Sequence, residues 1–118
     1  MTETPAYAIV VCSRCHAGAA APDLVARLAH HTAAGGFRVD AVACLAGCGR
    51  PLAVAFTAPA KASFLFGDID PARDVEALLA FGRQYRELAD GWCNEGQRPA
   101  GLRGKTLARI PHIGGLAG

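Results

Sequence analysis

The sequence predicts an α/β fold in the order β-α-β-β-β-α with a mixed sheet. Three observations carry this: short β-branched or alternating apolar runs, two amphipathic segments opened by proline and aspartate, and cysteine pairs placed directly after the first two runs. A chain of 118 residues that is 52% apolar is enough for one core. Alanine and glycine supply much of that fraction and aromatics only 7%, so the core is expected to be close-packed from small side chains.

Taken in order, Tyr7-Ala-Ile-Val-Val11 is a buried strand that ends at Cys12. Pro22 and Asp23 open a helix, since proline suits the first turn and the helix dipole favours an anion there. Leu24, Val25, Leu28 and Thr32 mark its inner stripe, and Gly35-Gly36 end it. Residues 37–43 alternate Phe37, Val39 and Ala41 against Arg38 and Asp40, giving a second strand that stops at Cys44. Segments 52–57 and 62–66, joined by Ala58-Pro59-Ala60-Lys61, read as an antiparallel hairpin. Asp70-Pro71 supply an N-cap and a first-turn proline for a second helix, with Val75, Leu78, Leu79, Tyr85 and Leu88 inward and Arg83 and Glu87 outward. A β-α-β start implies a right-handed parallel crossover, with the hairpin added antiparallel. From Gly91 the chain is rich in Gly, Pro and Arg without period. The expected division is therefore a domain over residues 1–93 and an irregular basic tail over 94–118.

Charge narrows the function classes. Residues 1–93 carry eight Lys/Arg against nine Asp/Glu, while the tail carries Arg98, Arg103, Lys105 and Arg109 against Glu95 alone. Four dispersed cations do not make a nucleic-acid footprint, so no nucleic-acid partner is expected. The apolar run near the N-terminus is too short for a membrane span or a leader, and no Lys or Arg precedes Arg14. A cytoplasmic protein is expected, without a membrane partner. In that compartment close cysteine pairs point to metal binding or redox chemistry rather than structural disulfides.

Cys12-Ser-Arg-Cys15 and Cys44-Leu-Ala-Gly-Cys48 each follow a predicted strand, and parallel neighbours bring their carboxyl ends to one edge of the sheet. Cys12, Cys15, Cys44 and Cys48 then form a candidate four-thiolate metal site. Zinc and a [2Fe-2S] cluster both accept such a set. The linker holds a whole helix and strand and the second pair is C-x3-C, unlike a zinc ribbon, whose linker is roughly 15–20 residues. Both features favour the wider two-iron cluster. A CxxC thiol oxidoreductase using Cys12 and Cys15 is a further alternative, but it leaves the second pair unexplained.

Cys44-Leu-Ala-Gly-Cys48, followed by Pro51 and a hairpin, resembles the second cysteine motif of thioredoxin-like [2Fe-2S] ferredoxins and the related small subunit of NADH dehydrogenases. The element order from Tyr7 to Leu88 is likewise thioredoxin-like. Ala58-Pro59-Ala60-Lys61, Phe66-Gly67-Asp68-Ile69-Asp70-Pro71, Arg98-Pro99 and Ala108-Arg109-Ile110-Pro111 resemble still more a bacterial family of uncharacterised small proteins described as predicted metal-binding. That likeness spans nearly the whole chain and suggests a setting in cobalamin synthesis or metal handling. The ferredoxin resemblance implies a homodimer. It departs at the first pair, which ferredoxins of this type space more widely than Cys12 and Cys15. Cys93 or His16 is the natural substitute should one of the two not ligate.

Neighbouring residues carry two readings each. Arg14 and Arg50 either offset the negative charge of a thiolate-bound cluster or are solvated loop cations. Gly47 and Gly49 either turn backbone N–H groups toward sulfur or only permit a tight turn. Cys93 beside Trp92 reads as a small buried hydrophobe and is left out of the site. His16 reads as an exposed loop residue, and one of His30 and His31 is expected to face solvent. The basic tail either docks an acidic partner or covers the cluster, or is a disordered end. No Ser-His-Asp set, phosphate loop or carboxylate pair beside a histidine appears, so no enzyme activity is expected. The expected function is electron transfer between a reductase and an acceptor, with a zinc-bearing structural or metal-handling module as the alternative.

Overall fold

A computed structural model describes residues 7–12, 21–32, 37–42, 52–59, 61–88, 90–91 and 93–111. Strands β1 (Tyr7–Cys12), β2 (Phe37–Val42), β3 (Val54–Thr57), β4 (Ser63–Phe66) and β5 (Thr106–Ile110) form one mixed sheet in the order β2-β1-β3-β4-β5. Helix α1 (Ala21–Thr32) lies between β1 and β2, and α2 (Val75–Glu87) follows β4. β1 and β2 are parallel, with Tyr7 opposite Phe37 and Cys12 opposite Val42. All other pairings are antiparallel. The described residues therefore form a mixed α/β unit, and the Cα radius of gyration of 13.4 Å is that of a compact globule of this length.

Strand alternation sorts the sheet into two unlike faces. Ile9, Val11, Val54, Phe56, Phe64 and Phe66 point to one side, where Leu24 and Leu28 of α1 and Leu78, Phe81 and Tyr85 of α2 join them in a single apolar core. On the other side Cys12 and Ala53 form a separate small cluster with Leu65 packed against it. Both helices thus bury their stripes on the same face. Among the described residues no helix packs on the second face.

The core is built on large rings, contrary to the small-residue core expected from composition. Phe81 stands 4.8 Å from Phe56 and 5.1 Å from both Phe64 and Phe66, each pair tilted toward edge-to-face geometry. Tyr85 closes the group and donates its hydroxyl to the carbonyl of Ala62. Burial pushes its pKa well above the usual phenol value, so the hydroxyl stays protonated. Only 7% of residues are aromatic, but hairpin and helix gather them at one place. Phe81 was also missing from the predicted stripe of α2. It is interior because it meets the rings of Phe56, Phe64 and Phe66 on the sheet, while residues 100–102 pack on the same helix at Ala77, where a Cβ on Gly101 would come within 2.8 Å of the Ala77 Cβ.

Helix α2 begins later than Asp70-Pro71 suggests. The Asp70 carboxylate accepts hydrogen bonds from the backbone N–H groups of Ala72 and Arg73, both at 2.8 Å, and so closes a separate turn before the helix. These bonds, the Arg73 one first, hold its pKa below the ordinary value. Asp74 takes the N-cap place, but its side chain turns back to the N–H of Asp70 instead of capping. At the other end Lys61, from the hairpin, donates to the carbonyls of Tyr85 at 2.7 Å and Arg86 at 3.0 Å. A cation is thereby placed where the helix dipole favours one.

The tail expected to be irregular instead completes the fold. Gly91 takes a left-handed φ of 74° against Tyr85 and Ala62, and a Cβ there would meet the Tyr85 ring at 2.8 Å. The chain then runs along α2, through buried Cys93, Arg98 and Leu102, and returns as β5 beside β4. The sequence signal was weak because β5 is a half-buried edge strand with a bulge opposite Leu65 and Phe66. The predicted cap at Gly35-Gly36 and the end of the chain from residue 112 lie outside the described residues.

The ring cluster predicts a sharp contrast along one helix. Phe81→Ala should lower unfolding free energy by about 3–5 kcal/mol in denaturant titration, as large core truncations do. Arg83→Ala, exposed two residues on, should change it by less than about 0.5 kcal/mol.

Candidate functional site

Cys12 is the last residue of β1 and is fully buried. Its backbone N–H donates to the carbonyl of Ala53 at 3.0 Å, which extends the β1–β3 ladder one step beyond Val11 and Val54. Alternation places its side chain on the helix-free face, in the cluster with Ala53 and Leu65. Across the parallel ladder Cys12 sits opposite Val42, the last residue of β2. Cys44 follows Val42 by two residues in the sequence.

Cys15, Cys44 and Cys48, together with Arg14, His16, Gly47, Gly49, Arg50 and His112, lie outside the described residues. Among the described residues no three His, Cys, Asp or Glu side chains gather as a metal site. What the described residues do establish is the framework. Parallel β1 and β2 are neighbours, both end at the same edge of the sheet, and the first cysteine is buried at that edge.

Cys93 is placed elsewhere. It is buried in the main core on the helix side, whereas Cys12 belongs to the cluster on the other side. The expectation of a small buried hydrophobe is met, and Cys93 is not brought to Cys12. Its carbonyl accepts from Arg98 Nη2 and Arg109 Nη1, each at 3.0 Å. His30 and His31 are both exposed in the last turn of α1.

The cations of the basic tail pair with groups of the chain itself. Arg98 is 5% exposed, donates from Nη1 to Thr106 Oγ1 at 2.8 Å, and lies 5.1 Å from the Phe64 ring centroid. Its two Nη groups are therefore met by oxygen acceptors and its face by a π system, while its buried Nε has no hydrogen-bond partner among the described residues. Lys105 donates to Asp74 Oδ2 at 2.6 Å and to the carbonyl of Asp68 at 2.7 Å, tying the start of β5 to the start of α2. Arg103 donates to the carbonyl of Gly96 at 3.0 Å. Charge count alone shows a basic tail, but the partners are carbonyls, a hydroxyl, a ring and one buried aspartate distant in sequence, which no local pattern reveals.

An open cleft of about 410 Å³ at the opposite end of the sheet is lined by Tyr7, Arg83, Arg86 and Glu87. It stands at the start of β1, away from Cys12.

Fold and site together define a small mixed α/β protein with a buried thiol at the carboxyl edge of its parallel strand pair. The chain belongs to the family described as "Protein of unknown function (DUF1636)", whose model matches residues 9–112. Comparison with curated proteins and with solved structures returns no match. No helix among the described residues is long and apolar enough to cross a membrane.

Because the tail carries core residues, a chain ending at residue 93 should lose cooperative unfolding, measured by circular dichroism against temperature. Asp74→Ala, which takes the carboxylate from the part-buried Lys105 ammonium and leaves it the Asp68 carbonyl, should cost about 3 kcal/mol in the full-length protein. Asp23→Ala, which breaks only an exposed pair with Arg27, should cost less than about 1 kcal/mol.

Proposed function

We propose that the protein binds a [2Fe-2S] cluster through Cys12, Cys15, Cys44 and Cys48 and acts as a one-electron carrier between a reductase and an acceptor protein. The observation that carries this reading is the placement of Cys12: buried at the carboxyl edge of β1 and opposite the end of parallel β2, from which a two-residue tether leads to Cys44. That tether spans at most about 7 Å.

The donor chemistry fits. A thiolate is the ligand a two-iron cluster takes, and Cys12 would supply its sulfur at an edge walled by apolar side chains. The parallel β1-α1-β2 unit, the antiparallel β3-β4 hairpin and α2 packed over it support a thioredoxin-like reading of the fold. The cluster would supply one-electron exchange. The chain itself needs no acid, base or nucleophile for that role, so we read the protein as a carrier and not an enzyme. A homodimer, on the ferredoxin resemblance, and a cytoplasmic setting, on the N-terminal sequence, complete the proposal.

The test is protein purified without oxygen, analysed for iron, sulfide and zinc together with its visible spectrum. Two irons and two sulfides per chain with red-brown colour are expected. Replacing Cys12, Cys15, Cys44 or Cys48 singly by serine should diminish or destroy that spectrum, while Cys93→Ser should retain it. Colourless protein with one zinc per chain, and no cluster after reconstitution, would overturn the proposal in favour of a zinc module. Cluster loss in Cys93→Ser alone would exclude the proposed ligand set.

A further inference from the structure

We infer that Ala53 is the positioning residue through which the sheet tunes the candidate centre, an inference that rests on Cys12 being a cluster ligand. Ala53 stands directly across the antiparallel ladder from Cys12, joined by the 3.0 Å hydrogen bond from the Cys12 N–H to its carbonyl. Residues opposed in this way put their side chains on the same face with Cβ atoms about 4.5–5.5 Å apart. Both are fully buried, and with Leu65 they form an apolar cluster separate from the main core. The sheet side of the Cys12 sulfur is therefore walled by a methyl group that has no proton to donate.

That choice bears on redox behaviour. Hydrogen bonds to cluster sulfurs and access of water stabilise the more negative, reduced form and raise the potential. A methyl at position 53 supplies neither, and so holds the potential lower than a polar wall would. A serine there adds one hydroxyl to the same Cβ, within reach of the neighbouring sulfur. Ala55 lies two residues further along the same face, opposite Val10, and provides the matched control.

Ala53→Ser and Ala55→Ser are compared with wild type in cluster-loaded protein, by electrode voltammetry and by the iron–thiolate stretching bands in resonance Raman spectra. Ala53→Ser should raise the midpoint potential and lower a stretching frequency, and Ala55→Ser should do neither. Should Ala53→Ser fail to load, Ala53→Gly reads the same wall by admitting water, and should also raise the potential. A position-53 variant with full cluster content at wild-type potential and frequency would overturn the inference, as would equal shifts from positions 53 and 55. A wild-type protein that takes no cluster would overturn the cluster reading itself, and this inference with it, before any variant is compared.

Discussion

The packing of Phe56, Phe64 and Phe66 against Phe81 and Tyr85 is the constraint on which the remaining structure depends. Three of these rings come from one hairpin and two from one helix, so their contact fixes how α2 crosses the sheet. Burying such side chains is worth about 1.5–3 kcal/mol each, a large share of the marginal stability of a domain this size. Two helices and four strands do not enclose that cluster. Residues 93–110 finish it: Leu102 and Cys93 enter the core, and Arg98 lies over Phe64 with its charge taken up by a hydroxyl, a carbonyl and the ring itself. Burying a guanidinium without a carboxylate is costly. That cost is tolerable here because the same side chain joins the 93–98 segment, β4 and β5.

Gathering the rings of β3, β4 and α2 on one face leaves the other face of β1, β3 and β4 to non-aromatic side chains. Ala8, Val10, Cys12, Ala53, Ala55 and Leu65 share it, by the period of two and the register of β1, β3 and β4. A one-residue slip of β1 would exchange Ile9 and Val11 for Ala8, Val10 and Cys12 and would empty the core. The hydrophobic demand of the helix side thus determines that Cys12 points away from the helices. The position of the thiol follows from the packing of residues that never touch it.

This explains what could be read in the sequence. Strands β1 to β4 and both helices were legible because each has its own period, its own breakers and, for α1, a first-turn Pro22-Asp23. The start of α2 was misplaced because Asp70 is a good capping residue that closes the preceding turn instead. β5 was illegible because an edge strand with a bulge leaves only weak alternation, and its neighbours are Gly, Pro and Arg. At the site, the type and spacing of the cysteines were plain. The face that Cys12 takes, the identity of its neighbour Ala53 and the separation of Cys93 depend on register between strands forty residues apart.

The separation of the two described thiols also bears on chemistry. Cys93 lies on the helix side among aromatic and aliphatic groups, where the thiol serves as a small apolar filler. Cys12 lies at the sheet edge where two parallel strands end, the place in such folds where loops can turn ligands toward a common point. The pattern gains a reason when Cys12 is taken with the three cysteines that follow β1 and β2 in the sequence. A four-thiolate centre carries net negative charge, and a methyl wall on one side would raise the energetic cost of adding an electron. The sheet would then contribute to the electronic character of the centre as well as to its position.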